Sequence, residues 1–185
     1  MWGAPRGVGT ALTRSARAAR YHRAMGREIE RKCLLASDAW RTAVTHSRRM
    51  RQGYVASSDR ASVRVRIEGD EARLNIKSGG LVASRAEFEY AIPLDDAHEL
   101  LTLASGPLVE KTRHYVDFGG FEWEIDEFEG ANRGLIVAEL ELDSEGQSFE
   151  RPPWLGKEVT DLRRYYNVCL VDHPFSAWTA AEKKP

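Results

Sequence analysis

The chain has 185 residues, with 28 acidic and 27 basic side chains and a formal net charge of -1 at pH 7. This length allows one compact domain, and the charge gives no global indication of binding to nucleic acid or to an anionic membrane. No apolar run approaches the ~20 residues of a membrane-spanning helix. The two cysteines, Cys33 and Cys169, are too few and too far apart for a disulfide framework. We therefore expect a cytoplasmic protein with reduced thiols.

The first 25 residues differ from the rest, because they contain five arginines and no acidic residue. This composition is compatible with a transit segment, with a start codon upstream of a true start at Met25, or with a disordered tail. We favour a basic tail over 1–25, followed by one domain over 26–180.

From Gly26 onward, short runs of alternating polar and apolar residues predict β-strands. The predicted strands lie at 27–35, 52–57, 62–68, 71–78, 85–92, 108–118, 121–128 and 134–143. Apolar residues at helical spacing predict helices at about 38–45, 95–104 and 160–171. Gly69 and the pair Gly119-Gly120 mark hairpin turns. About eight antiparallel strands with about three helices indicate an α+β protein, mainly antiparallel, built as a barrel or a sandwich.

Ionisable residues occupy alternate positions in seven of these segments, and alternate positions in a strand share a face. They are Glu28, Glu30 and Lys32; Arg64 and Arg66; Arg73 and Lys77; Glu87 and Glu89; Lys111 and Arg113; Glu122, Glu124 and Asp126; and Glu139 and Glu141. One interpretation is an ordinary sheet with its polar face in solvent. We favour the other, in which the helices cover the apolar faces and the charged faces line a closed barrel, because the polar positions are almost wholly ionisable. Eight strands enclose room for one small ligand.

Buried charges need partners, because an unpaired ion costs several kcal/mol to bury. Clustered carboxylates suit Mg²⁺ or Mn²⁺, and clustered Arg and Lys suit phosphate oxygens. A metal-bound polyphosphate needs both kinds of cluster at once.

The order of these segments also resembles a known family. The run EIERK at 28–32 is similar to the ExExK signature that opens the CYTH, or triphosphate tunnel metalloenzyme, proteins. The matches continue with VRVR at 63–66, NIK at 75–77, EFEY at 87–90, KTR at 111–113, WEID at 123–126 and AELE at 138–141. QGY at 52–54, WLGKEVT at 154–160 and RYYN at 164–167 resemble the short, single-domain bacterial inorganic triphosphatases. The resemblance covers about 27–178 and implies an eight-stranded closed tunnel.

The resemblance also implies roles for individual residues. Phosphate oxygens would be bound by Lys32, Arg64, Arg66, Lys77, Lys111 and Arg113. A divalent metal would be held by Glu28, Glu30, Glu139 and Glu141, with Glu87, Glu89, Glu124 and Asp126 as further metal or water partners. Glu87, or Lys32 with Tyr54, would activate water or protonate the leaving group. One departure is Cys33, where the family usually has Phe; it lies on the opposite face from Lys32 and should affect packing.

The implied function is metal-dependent hydrolysis of inorganic triphosphate to pyrophosphate and phosphate. Thiamine triphosphatase, nucleoside triphosphatase and class IV-type adenylate cyclase remain alternatives, because the fold does not determine the substrate. Two alternatives of another kind are a non-catalytic polyphosphate-binding module and a β-domain that uses its charged outer faces to bind a protein. The expected partner is a small-molecule triphosphate, with no nucleic acid and no membrane; the oligomeric state, a homodimer being one option, is left open.

Overall fold

The computed structural model describes residues 26–79 and 84–184. The predictions for residues 1–25 therefore lie outside the described residues. Within the described residues, no helix is both long enough and apolar enough to cross a membrane.

Nine strands and two α-helices make up this part of the chain. The strands are β1 (Gly26–Leu35), β2 (Val44–Ser57), β3 (Ala61–Glu68), β4 (Glu71–Ser78), β5 (Ser84–Ile92), β6 (Val109–Phe118), β7 (Phe121–Phe128), β8 (Ile136–Leu142) and β9 (Leu155–Glu158), and the helices are α1 (Leu94–Thr102) and α2 (Asn167–Asp172). One sheet contains all the strands in the order β5-β4-β3-β2-β6-β7-β8-β1-β9, and β5 also pairs with β1, from Gly26 opposite Glu87 to Ile29 opposite Ser84. The mainly antiparallel α+β class is confirmed.

The prediction of about three α-helices was wrong, since the described residues contain two. The segment predicted as the first helix forms a 3-10 helix at Ala39–Ala43, and β2 begins at Val44. Pairing with β6, from Val44 opposite Val116 onward, draws the following residues into the sheet. A tertiary contact therefore overrides the local helical spacing of apolar residues.

The last helix begins at Asn167 rather than near residue 160, because residues 155–160 run beside β1 and Arg163–Tyr165 form a 3-10 helix. β9 pairs with β1, and the Val159 N–H donates to the Lys32 carbonyl at 2.7 Å. Gly156 permits this approach, since a Cβ there would lie 2.9 Å from the Leu34 carbonyl oxygen. The sequence did not predict β9, which follows two prolines and contains a glycine.

The apolar faces of the strands point outward and are covered. Val65 and Ile67 of β3 pack with Ala97 and Leu101 of α1. On the other side of the molecule, a second apolar cluster joins β1, β7 and β8 to Trp154. Because side chains alternate along a strand, the charged positions point to the opposite, inner face of the same strands.

The C-terminal segment packs against one end of that inner face. Val109, Phe128 and Val137 each lie two residues from a charged position of β6, β7 or β8, and so share its face. They form an apolar cluster with Tyr165 and Trp178. We call Val109, Phe128, Val137, Tyr165 and Trp178 the apolar plug. The charged residues therefore meet hydrocarbon at this end.

Candidate active site

Strand register brings the predicted charges of β1, β6, β7 and β8 side by side. Glu139 lies directly opposite Lys32 on one neighbouring strand and opposite Glu124 on the other. Arg113 lies opposite Asp126. Directly opposite residues share a face, with Cβ atoms about 5 Å apart, so residues far apart in the sequence form one cluster.

Arg113 lies at the centre of this cluster. Its Nε and Nη2 donate to the two carboxylate oxygens of Asp126, each at 2.7 Å, and Nη2 also donates to Glu139 Oε2 at 2.7 Å. Nη1 pairs with Glu124. Arg113 is 7% exposed and Asp126 is fully buried. The paired contact to Asp126 fixes the plane of the guanidinium.

Two buried lysines complete the cluster of charged residues on β1, β6, β7 and β8, which we call the first wall. Lys32 Nζ pairs with Glu139, lies 3.7 Å from Glu30 Oε1, and lies 5.4 Å from the centre of the Tyr166 ring. Lys111 Nζ pairs with Asp126. Each ammonium group therefore faces a carboxylate.

The pKa values of this wall follow from burial and from these pairs. Burial opposes the charge of Lys32, but Glu139 and Glu30 raise its pKa above the ordinary value. Burial, with neighbouring Arg113, lowers the pKa of Lys111 to about 8. Burial opposes ionisation of Glu139, but Lys32 and Arg113 hold the pKa of Glu139 well below its usual range. Lys32 thus stays cationic at neutral pH, and Lys111 titrates near it.

A second wall is formed by β3, β4 and β5. Asn75 Nδ2 donates to Glu87 Oε1 at 2.8 Å and also to Glu89. Lys77 Nζ lies 3.1 Å from Glu87 Oε2, and Arg66 Nη2 lies 3.2 Å from Glu89 Oε2. Asn75 therefore holds two carboxylates that would otherwise repel each other, and the basic residues neutralise both.

The two walls belong to one electrostatic unit. Burial is the main cause that lowers the pKa of Arg66, and the like charges of Arg64 and Arg113 lower it further. Because Arg113 belongs to the first wall, this effect acts from one wall to the other. Glu68 also connects them, since Glu68 Oε1 accepts a hydrogen bond from the Tyr115 hydroxyl at 3.3 Å and lies 3.5 Å from Arg48 Nη1.

Most predicted site residues are brought together. Those on the two walls are Lys32, Arg64, Arg66, Lys77, Lys111, Arg113, Glu30, Glu87, Glu89, Glu124, Asp126 and Glu139. Tyr54 is buried on β2 directly opposite Arg64. Glu141 lies opposite Glu30 but is exposed. The side chain of Glu28 lies outside the described residues. The roles of all these residues stay predictions.

Several residues of the site were not predicted. Glu68 continues the alternation of Arg64 and Arg66, and this signal could have identified it. Thr160 contacts Lys32 from a distant segment: its Oγ1 accepts from the Lys32 backbone N–H at 3.0 Å. The Tyr166 hydroxyl in turn donates to the Thr160 carbonyl at 2.9 Å. No local spacing in the sequence indicates these two contacts.

The donor set fits a divalent cation in its chemistry, since carboxylate oxygens are the ligands that Mg²⁺ and Mn²⁺ prefer. In the first wall four carboxylates face three cations, which leaves one net negative charge. The carboxylates are Glu30, Glu124, Asp126 and Glu139, and the cations are Lys32, Lys111 and Arg113. Across residues 26–79 and 84–184, no three acidic, His or Cys residues are grouped as a metal site. Here the carboxylates contact Arg and Lys.

Comparisons with known proteins show which family the sequence and the fold resemble. The sequence model of the family described as CYTH domain matches residues 26–173. The chain is 43% identical over 152 residues to an inorganic triphosphatase of Acetivibrio thermocellus, an alignment that covers 82% of this chain and 97% of the relative. It is 38% identical over 149 residues to an inorganic triphosphatase of Nitrosomonas europaea, covering 78% of this chain and 96% of the relative. A crystal structure of an inorganic triphosphatase superposes with a TM-score of 0.60 at 35% identity, over 80% of this chain and 95% of that one.

Proposed function

The chain belongs to the CYTH domain family, and from this premise we propose that it hydrolyses inorganic triphosphate to pyrophosphate and phosphate, with Mg²⁺ or Mn²⁺ as cofactor. The observation that carries the proposal is the buried wall in which Arg113 gathers Glu124, Asp126 and Glu139 between two lysines. The inorganic triphosphatases that align with nearly their whole length support the choice of substrate.

The reaction would take place in a tunnel walled by β1 to β8. The pairing of β5 with β1 and the antiparallel order of the intervening strands support this shape. The apolar plug would exclude water from one end. Substrate would bind between the two walls, since both present cations to the same interior.

Triphosphate would be bound by exchange of partners. Lys32, Lys111 and Arg113 on one wall, and Arg64, Arg66 and Lys77 on the other, would transfer contacts from carboxylates to phosphate oxygens. Arg supplies the paired geometry that a phosphate matches. Asp126 would keep Arg113 and Lys111 oriented while substrate is bound.

The released carboxylates would hold the metal. Glu30 and Glu139 are the first candidates, with Glu28, Glu141, Glu124, Glu87 and Glu89 as further oxygen donors. A bound divalent ion would polarise a phosphoryl oxygen and neutralise charge that develops during transfer.

Water activation is assigned to Glu87, with Lys32 and Tyr54 as the second candidates. Glu87 accepts from Asn75 and contacts Lys77, so it is held as an oriented carboxylate that can accept a hydrogen bond from water. The raised pKa of Lys32 supports a role as a permanent cation that stabilises charge, and it disfavours a role as a base or as a proton donor near neutral pH.

The test is a phosphate-release screen with triphosphate, thiamine triphosphate, ATP and pyrophosphate, each with Mg²⁺ and with Mn²⁺. We expect triphosphate to be cleaved fastest and only with metal. Cyclic AMP formed from ATP, or ATP preferred to triphosphate, would contradict the proposal. Binding of triphosphate without cleavage would support the polyphosphate-binding alternative.

A matched pair of variants separates the enzyme from a β-domain that binds protein. Glu30→Gln should abolish hydrolysis, because it removes a carboxylate from the buried wall. Glu110→Gln removes an acid of the outer face, where it lies 3.1 Å from Arg51, and should leave hydrolysis unchanged. Equal activity in the two variants would reject the metal role of Glu30.

A further inference from the structure

Gln52 lies on the inner face of β2, between Met50 and Tyr54. The direction of its side chain follows from Gly53, because a Cβ at Gly53 would lie 2.8 Å from the Leu108 side chain and 3.1 Å from Leu101 of α1, on the outer side. Neighbours of Gly53 in the strand therefore point inward.

The amide of Gln52 is buried without a hydrogen-bond partner. The residue is 1% exposed, and neither Oε1 nor Nε2 has a partner among the described residues. Most buried polar side-chain atoms in native proteins are hydrogen-bonded, so an exception needs an explanation. An apolar side chain of the same size would fill this position without that cost.

The surroundings of Gln52 point to an anion. It lies directly opposite Arg66 on β3 and opposite Val109 on β6. The diagonal neighbours on the same face are Arg64 and Glu68 on β3 and Lys111 on β6, at about 7 Å. Glu68 already lies near Arg48 and Arg66, so cations outnumber carboxylates around Gln52. Gln52 thus stands between two basic strands, at the border where the charged interior meets the apolar plug.

We propose that Gln52 is a further substrate-binding residue, and that its Nε2 donates a hydrogen bond to a phosphoryl oxygen of the triphosphate held by Arg66 and Lys111. The inference rests on the proposed function. The basic residues supply charge, whereas the amide supplies a directional donor that adds no charge to a crowded cationic site. Neither amide atom is accessible to water in this structure, so substrate would reach the amide only as the neighbouring basic side chains exchange carboxylates for phosphate oxygens, and it would then supply the missing partner.

The experiment measures triphosphate binding by calorimetry in metal-free buffer, for the wild type, Gln52→Met and Gln52→Glu. Met conserves volume and removes both polar atoms; Glu keeps the shape and replaces the donor by an anion. We expect Gln52→Met to weaken binding about tenfold and Gln52→Glu to weaken it more. The melting temperature of ligand-free Gln52→Met should stay the same or rise, because an unpaired amide is lost.

Gln147→Met is the matched control, since Gln147 lies in a loop where its Oε1 accepts from the Asp143 N–H. It should leave binding unchanged. Unchanged affinity in Gln52→Met would overturn the inference, and if that variant does not fold, unchanged affinity in Gln52→Glu would do so. A wild type that binds triphosphate without cleaving it rejects the proposed activity alone, and the comparison still decides the role of Gln52. A wild type that does not bind triphosphate in metal-free buffer overturns the inference, and the phosphate-release screen with Mg²⁺ and Mn²⁺ still decides the proposed activity.

Discussion

Replacement of Arg113 by Met tests the buried wall most directly. The guanidinium is the shared partner of Glu124, Asp126 and Glu139, and its removal leaves the carboxylates with the two lysines alone. Breaking a buried ion pair by removing one partner costs about 3–5 kcal/mol, against a typical total stability of about 5–15 kcal/mol. We expect Arg113→Met to fold but to lose about 3–5 kcal/mol of unfolding free energy at pH 7.

The pH dependence of that loss identifies its cause. Without Arg113, we expect burial to raise the pKa values of Asp126 and Glu139 above those of the unfolded chain, so that the native state binds more protons than the unfolded state as the pH falls from about 7 to about 5. The stability of the variant should therefore increase as the pH falls through this range. The wild type should gain less, because Arg113 helps to hold the pKa values of Asp126 and Glu139 below their usual range, and of these three carboxylates Glu124 alone has a pKa that burial raises.

The measurement is urea unfolding at pH 7 and pH 5, with Arg51→Met as the control. Arg51 forms an ion pair with Glu110 at 3.1 Å on the outer face, where its side chain is 44% exposed, and such pairs contribute about 0–1 kcal/mol. If Arg113→Met lost no more stability than Arg51→Met, or did not recover at pH 5, the carboxylates could not be gathered around a buried guanidinium.

Three further predictions follow from single contacts. Burial lowers the pKa of Lys111 to about 8, so calorimetry should show triphosphate affinity falling as the pH rises from 7 to 9. The unfolding free energy should rise with pH over about pH 8–10.5, where Lys111 is protonated in the unfolded chain but not in the native state. An affinity and an unfolding free energy that do not change over these pH ranges would contradict this. Tyr166→Phe keeps the ring near Lys32 and should retain kcat, whereas Tyr166→Leu should lower kcat by up to about tenfold. Equal kcat values for the two variants would show that the ring contact with Lys32 does not affect the reaction. Gly53→Ala places a Cβ against α1 and should lower the unfolding free energy, measured with urea, by about 1–3 kcal/mol. An unchanged unfolding free energy would mean that α1 shifts to make room for the added methyl group.

The strands that carry the site could be predicted because their signal is local. Ionisable and apolar residues alternate within each strand, and this alternation gave the limits of β4 and β7 as observed. It also predicted that the charged positions share one inner face, since the apolar face must be covered by helices.

Contacts between distant segments could not be predicted in the same way. The predicted helix over 38–45 took in the first two residues of β2, and residues 46–51 were assigned to no element, because nothing local indicates pairing with β6. The contact of Thr160 with Lys32 and the missing partner of Gln52 depend on which segments meet in space. Sequence patterns thus predicted which side chains share a face of a strand, whereas only the structure showed which strands and segments are neighbours.

The position of β1 has a consequence for biosynthesis. Lys32 pairs with Glu139, which follows it by 107 residues, and its backbone contacts Thr160, which follows it by 128. The strand that leaves the ribosome first among the described elements thus acquires two of its three neighbours, β8 and β9, last. Such long-range pairing slows folding, and a nascent chain exposes the apolar side of β1 until the C-terminal third has been synthesised.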